Sequence, residues 1–279
     1  MPSSASDTVF AGSVPELYDQ LLVPLIFEPY ADDLARRVVA LQPLRVLETA
    51  AGTGVVTRAM ARLLPPGTAI VATDLNPPML DRAAAIGAAR QVQWRQADAM
   101  SLPFPDASFD AVVCQFGVMF FPDRAHGYAE ARRVLRPGGV FLFNAWDRIE
   151  ENELAHAVTD ALATVFPADP PRFMARTPHG YHDEEAIARD LAQAGFAASP
   201  RIELVAARSR AESAAAAATA YCQGTPLRNE IEARGAAQGV SLAQATAAVA
   251  KAIAQRFGAG PVDAKIQARV VTAVKWPTA

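Results

Sequence analysis

The residues best placed to do chemistry are Val46-Leu47-Glu48-Thr49-Ala50-Ala51-Gly52-Thr53-Gly54, a short apolar run entering a glycine-rich turn. Small residues at 50, 52 and 54 let the backbone turn sharply and approach a ligand closely. A dinucleotide fingerprint wants glycines spaced G-x-G-x-x-G. Counted from Gly52, the third glycine falls on Thr57, and counted from Ala50 it falls on Val55, so neither register fits. The turn instead reads E-x-A-x-G-x-G. A carboxylate at Glu48 would repel a pyrophosphate and could help hold a cation, such as an adenosyl sulfonium with an amino-acid tail. A merely tight strand–helix turn is the plainer alternative.

Other candidates are scattered. Asp74 closes the run VATDLN about 20 residues after the turn. A carboxylate there can accept both hydroxyls of a ribose, a device dinucleotide folds share. His126, His179 and His182 are the candidate bases. His126 also reads as a solvent-facing residue in the first turn of a helix, and His179-Gly180-Tyr181-His182 as a loop ending at an Asp183 N-cap that could overhang the C-terminal strand edge. Two histidines with acids only on the following helix start do not make a metal site. Tyr221–Arg228 mixes polar and aromatic groups and could line a substrate pocket or link two helices. Cys114 and Cys222 match no metal or redox spacing, which leaves a reducing cytoplasm as the expected compartment.

These residues need elements to position them. Short β-rich runs at Leu44–Glu48, Thr68–Thr73, Val92–Arg95, Phe109–Cys114 and Val140–Trp146 alternate with helical stretches at Val55–Leu64, Asn76–Ala89 and Asp123–Leu135. That alternation predicts parallel βαβ units in a doubly wound α/β sheet. Tyr18–Leu41 reads as an amphipathic helix and 150–200 as mainly helical. Arg201–Ala207 and Gln267–Lys275 read as the last two strands. Between them, 209–265 reads as an alanine-rich helical insertion with capping boxes at Ser209…Glu212 and Ser241…Gln244. One domain over 1–279 is expected. It would comprise an N-terminal helical cap (1–42), a cofactor-binding core (43–147) and helical additions at 150–200 and 209–265 forming a lid.

Composition narrows the function. At 51% hydrophobic and 20% charged residues the chain is globular rather than disordered. A net charge of −3 argues against nucleic acid as a partner, since a phosphate-backbone binder carries a basic footprint. The uncharged run Ser213–Leu227 is too short and too broken to span a membrane. The N-terminus lacks the pattern of a secretory signal.

Glu48 to Gly54 resembles motif I of the class I S-adenosylmethionine-dependent methyltransferases, D/E-x-G-x-G-x-G, with Ala50 in place of the first glycine. Four further segments agree in order. Asp74-Leu75 matches the ribose-binding end of the second strand. Asp98-Ala99 matches the adenine-binding pair after the third. Phe109–Gln115 and Leu135–Gly139 match the fourth strand and the turn before the fifth. Gln115–Asp123 and Tyr18-Asp19 also resemble the ubiquinone/menaquinone-biosynthesis methyltransferases. The resemblance implies a seven-stranded, mostly parallel, Rossmann-like sheet with its last strand antiparallel. It implies S-adenosylmethionine as cofactor and S-adenosylhomocysteine as product. It places Glu48, Ala50, Gly52, Thr53 and Gly54 around the methionine tail, Asp74 and Leu75 at the ribose, Asp98 and Ala99 at the adenine, and Gln115 and Phe116 near the sulfonium. Tyr18, Met119, Tyr181 and Tyr221 are the substrate-pocket candidates.

The expected reaction is methyl transfer to a carbon, oxygen or nitrogen of a small, fairly apolar acceptor. No N-P-P-Y or D-P-P-Y follows the fourth strand, which counts against adenine or glutamine amide acceptors. An oxidoreductase using NAD(P) and a non-catalytic S-adenosylmethionine-binding module are the alternatives. The alanine-rich insertion could serve a homodimer as well as a lid.

Overall fold

A computed structural model describes residues 7, 10 and 12–276. Seven strands form one sheet: β1 (Arg45–Glu48), β2 (Ala69–Asp74), β3 (Gln93–Gln96), β4 (Phe109–Gln115), β5 (Leu135–Trp146), β6 (Arg201–Ala211) and β7 (Val262–Val274). Their order is β3-β2-β1-β4-β5-β7-β6. The pairs β1–β2, β1–β4, β2–β3 and β4–β5 are parallel, each joined by a crossover, and β7 pairs antiparallel with β5. This is the doubly wound sheet the alternating pattern predicts. β1 and β4 are adjacent and lead to opposite edges, so the turn after β1 stands at the switch point.

The helices are α1 (Val14–Leu17), α2 (Glu28–Ala40), α3 (Val55–Leu63), α4 (Pro77–Ile86), α5 (Arg124–Val134), α6 (Glu153–Val165), α7 (Phe173–Arg176), α8 (Glu184–Gln193), α9 (Ala214–Gln223), α10 (Leu227–Gln238) and α11 (Leu242–Phe257). The chain divides into two compact units. One comprises the described residues up to Pro29, Asp147–Gly180 and Ala206–Gln267. The other comprises Tyr30–Trp146, Tyr181–Val205 and the described residues from Ala268.

The second unit holds the sheet's core. Leu34, Ala35 and Val38 of α2 and Val56, Ala59 and Met60 of α3 pack on Val46, Ile70, Val113 and Leu142. Along β5 the intervening residues Phe141 and Phe143 point to the opposite face, where both rings meet Tyr128 of α5. This period-2 switching lets one strand serve two layers.

In the first unit, the stretch expected as an amphipathic α-helix from Tyr18 is instead π-helical over Tyr18–Phe27 before α2 begins. Pro24 lies inside it and has no N–H for an i→i−4 ladder. The following Glu28 N–H reaches five residues back, to Val23 O. Ser241 and Gln244 do form a capping box, whereas Ser209 does not cap. It is buried within β6, and its neighbours Arg208 and Arg210 both pair with Asp263 from one strand face. Ser213 caps α9 instead, accepting the Ala216 N–H. Both late strands therefore run further than expected, and the helices of the insertion occupy only 214–257. No helix among the described residues is long and apolar enough to cross a membrane.

Candidate active site

The turn after β1 is tied to both neighbouring strands. Thr49 N–H donates to Val113 O of β4 and Ala51 N–H to Thr73 O of β2, each at 2.9 Å. Asp74, the last residue of β2, reaches back across the turn. Its Oδ2 accepts the Gly52 N–H and its Oδ1 the Asn76 N–H, each at 2.8 Å. Burial raises the Asp74 pKa while the backbone donors from Asn76 and Gly52 pull it down. The Asn76 side-chain amide also donates to Oδ1, at 3.4 Å.

Ala50 adopts φ +51°, Gly52 +56° and Gly54 +83°. Gly54 has a second constraint, since a Cβ there would lie 2.7 Å from the Trp94 ring. Thr53 is buried and its hydroxyl has no hydrogen-bond partner among the described residues. An orphaned hydroxyl on a left-handed glycine turn is what a polar ligand tail would complete.

Glu48 is buried, accepts a hydrogen bond from the Thr57 hydroxyl, and has its pKa pushed by burial up to about 8. Without a ligand its carboxyl is therefore mostly neutral at pH 7. A cation beside it would restore the charge.

The other edge of the site follows β3 and β4. Ala97 N–H bonds Asp74 O at 3.1 Å, which places Asp98 and Ala99 next to Asp74. Asp98 Oδ1 accepts the Met100 N–H at 2.9 Å and pins this turn. Leu75 is exposed beside it. After β4, a Cβ on Gly117 would sit 2.5 Å from Ala50 Cβ and 2.7 Å from Cys114 Sγ. The segment Gln115–Gly117 thus closes directly on the glycine-rich turn. Met119 is buried, and its sulfur receives the Trp146 N–H at 3.4 Å. Burial pushes the Cys114 thiol up to about 12, which makes it inert.

The second unit therefore brings together Glu48–Gly54, Asp74, Leu75, Asp98, Ala99, Gln115, Phe116 and Met119. It also holds His126, exposed in the first turn of α5, and His182. Tyr181 is buried there. Its hydroxyl donates to Asp190 at 2.6 Å and accepts from Tyr128, and the Arg124 guanidinium lies over its ring. Tyr18, His179 and Tyr221 belong to the first unit. There Tyr18 packs between Phe10 and Phe27, and Tyr221 is buried in α9. His179 sets Nδ1 against Asp147 O at 2.8 Å. A carbonyl only accepts, so Nδ1 carries the proton.

Sequence reasoning missed Thr57, which bonds Glu48, and Asn144 and Trp146 at the end of β5. A polar Asn inside the apolar run VFLFNAW was the available signal for Asn144.

A family model described as "Methyltransferase domain" matches residues 47–143. The demethylmenaquinone methyltransferase of Deinococcus radiodurans is 44% identical over 107 residues, 38% of this chain and 44% of that protein. The ubiquinone/menaquinone biosynthesis C-methyltransferase of Teredinibacter turnerae is 33% identical over 166 residues, 55% of this chain and 67% of that protein. The chain belongs to the class I S-adenosylmethionine-dependent methyltransferases. It spans less than half of the Deinococcus protein and about two thirds of the Teredinibacter one. A [4+2]-cyclase matches with a TM-score of 0.57 at 19% identity, covering 96% of this methyltransferase and 95% of the cyclase. At that identity the likeness shows the fold alone, and function has to be argued from the site.

Proposed function

We propose that this chain binds S-adenosylmethionine on the turn between β1 and α3 and methylates a ring carbon of a reduced quinone-type acceptor. The observation that carries the cofactor half is Asp74, a buried carboxylate held by the Gly52 and Asn76 amides at the switch point of the sheet. Asp74 would accept the ribose hydroxyls. Asp98 and the Ala99 amide would hold the adenine, with Leu75 against its edge. Gly52, Thr53 and Gly54 would cradle the methionine tail, with Ala50 shaping the turn, and Glu48 would balance its positive charge. Gln115 and Phe116 would stand beside the reacting methyl. S-adenosylmethionine supplies a methyl group already activated by its sulfonium, so the protein's work is to orient the acceptor and exclude water.

The acceptor half rests on the two relatives, both named for quinone methylation. A hydroquinone suits this chemistry because a phenolic oxygen makes the neighbouring ring carbon electron-rich. That carbon takes the methyl, the sulfur keeps the bonding pair, and the ring hydrogen leaves as a proton.

The test is calorimetric titration with S-adenosylmethionine and S-adenosylhomocysteine, with NAD(H) and NADP(H) as controls. Turnover on a reduced demethylnaphthoquinone follows, read by mass. Micromolar adenosyl binding with methylated product is expected. A folded protein that ignores both adenosyl ligands would refute the cofactor assignment. Binding without turnover on any hydroquinone would refute the acceptor assignment.

A further inference from the structure

Asn144 lies in β5 opposite Gln115 of β4 and is fully buried. Its Oδ1 accepts the Phe116 N–H at 3.1 Å, and its backbone oxygen accepts the same N–H at 3.2 Å. Phe116 needs such a hold. It sits at φ +50°, a conformation that a bulky L residue adopts only when its surroundings impose it.

The surroundings do impose it. The Phe116 ring lies parallel to Trp146, with centroids 3.8 Å apart and planes 4° apart. Tyr30 meets both rings edge-on, at 5.3 and 5.4 Å. The next residue, Gly117, has no room for a Cβ against Ala50 and Cys114.

The other half of the Asn144 amide argues that this hold is not for stability. Nδ2 is buried with no partner among the described residues. Flipping the amide cannot help, because it would turn the Nδ2 donor onto the Phe116 N–H, donor against donor. A buried, half-satisfied amide weakens a fold, where leucine of nearly the same shape would not. Only the acceptor oxygen gives the asparagine a use.

We infer that Asn144 is a positioning residue. Its Oδ1 locks Phe116 in the left-handed conformation and so sets the Gln115–Phe116 segment against the methyl acceptor. The inference rests on the proposed placement of that segment beside the reacting methyl.

The test compares Asn144→Leu, which removes the acceptor oxygen, with Asn144→Asp, which keeps one. Melting temperature, S-adenosylhomocysteine affinity, near-ultraviolet circular dichroism and steady-state kinetics on the hydroquinone are measured for each. In Asn144→Leu the melting temperature stays level or rises and adenosyl affinity stays within about two-fold. The near-ultraviolet band of the Phe116–Trp146 stack changes, and kcat falls on the order of 10–100-fold, the scale of a displaced positioning group. Asn144→Asp restores the band and most of kcat. Wild-type kcat in the leucine variant overturns the inference. So does a parallel loss of stability and activity in both variants, which marks an ordinary core residue. Absent adenosyl binding in the wild-type chain overturns the cofactor reading instead, and an altered near-ultraviolet band in Asn144→Leu would still report the hold on Phe116.

Discussion

Glu48 gives the cofactor reading a quantitative consequence. With its pKa pushed by burial up to about 8, about nine-tenths of the free protein is protonated there at pH 7. A cation brought beside it favours the ionised form, so binding expels that proton. The ligand's own α-amine, with an ordinary pKa of about 7.7–8.0, takes back roughly 0.1–0.2 of a proton at pH 7 when held as the ammonium. The net expectation is release of about 0.8 proton per ligand at pH 7 and uptake of about 0.8 at pH 9, with the sign changing near pH 8. Glu48→Gln should show uptake only, at both pH values. The assay is calorimetry with S-adenosylmethionine in two buffers of different ionisation enthalpy, whose difference in apparent heat gives the proton count. No release from the wild-type chain at pH 7, or an unchanged count in Glu48→Gln, refutes the pairing of Glu48 with the ligand's charge. Stability carries the same signature without ligand. The unfolded carboxyl ionises near 4.5 and the folded one near 8, so the folded state binds more protons between them and Glu48 weakens the fold as pH rises through that window. Glu48→Gln should therefore gain on wild type between pH 5 and pH 9, by at most about 5 kcal/mol, and not at pH 4.

Four further outcomes can be checked. On the proposed placement, Asp74→Ala removes the acceptor for both ribose hydroxyls and should weaken S-adenosylhomocysteine binding by roughly 100-fold or more, on the scale of about 1.5–3 kcal/mol per charged hydrogen bond. Titration giving less than a few-fold loss would remove Asp74 from the site. Ala50→Gly relieves a left-handed alanine and should stabilise the fold by about 1 kcal/mol, or roughly 2–4 °C in a thermal melt. Gly117→Ala should cost about 1–3 kcal/mol, and adding Ala50→Gly should recover only part because Cys114 Sγ still blocks the Cβ; full recovery would show the contact with Cys114 to be soft. Tyr181→Phe strands Asp190 and Tyr128 and should cost about 1–3 kcal/mol in urea unfolding, with adenosyl affinity and acceptor KM unchanged. A raised KM at full stability would return Tyr181 to the substrate pocket.

The sheet was legible because each of its signals is local. Apolar runs set against turn residues located β1, β2 and β4 to within a residue or two. The helical stretches read from Asn76 and Asp123 each begin one residue before α4 and α5. What failed was local patterning that two elements can share. Ser209…Glu212 satisfies a capping box on paper, yet the alternation through Arg208 and Arg210 continues the strand, and a shared ion pair with Asp263 decides the matter. That partner is more than fifty residues away in the chain, so no window of sequence contains it. Glu48 shows the same limit within the site. Its position identified the family, and its charge supplied an argument against a pyrophosphate. The folded environment changes that argument, because a carboxyl buried against Thr57 is mostly neutral at pH 7 and repels an anion only weakly. Discrimination then comes from the bound state. A cation gains the attraction of a carboxylate that ionises on its arrival, whereas a pyrophosphate gains nothing there and would lie against a turn lacking the third glycine. On the proposed cofactor reading Glu48 would select by responding to the ligand, a property that depends on burial and so cannot be read from the residue's type alone.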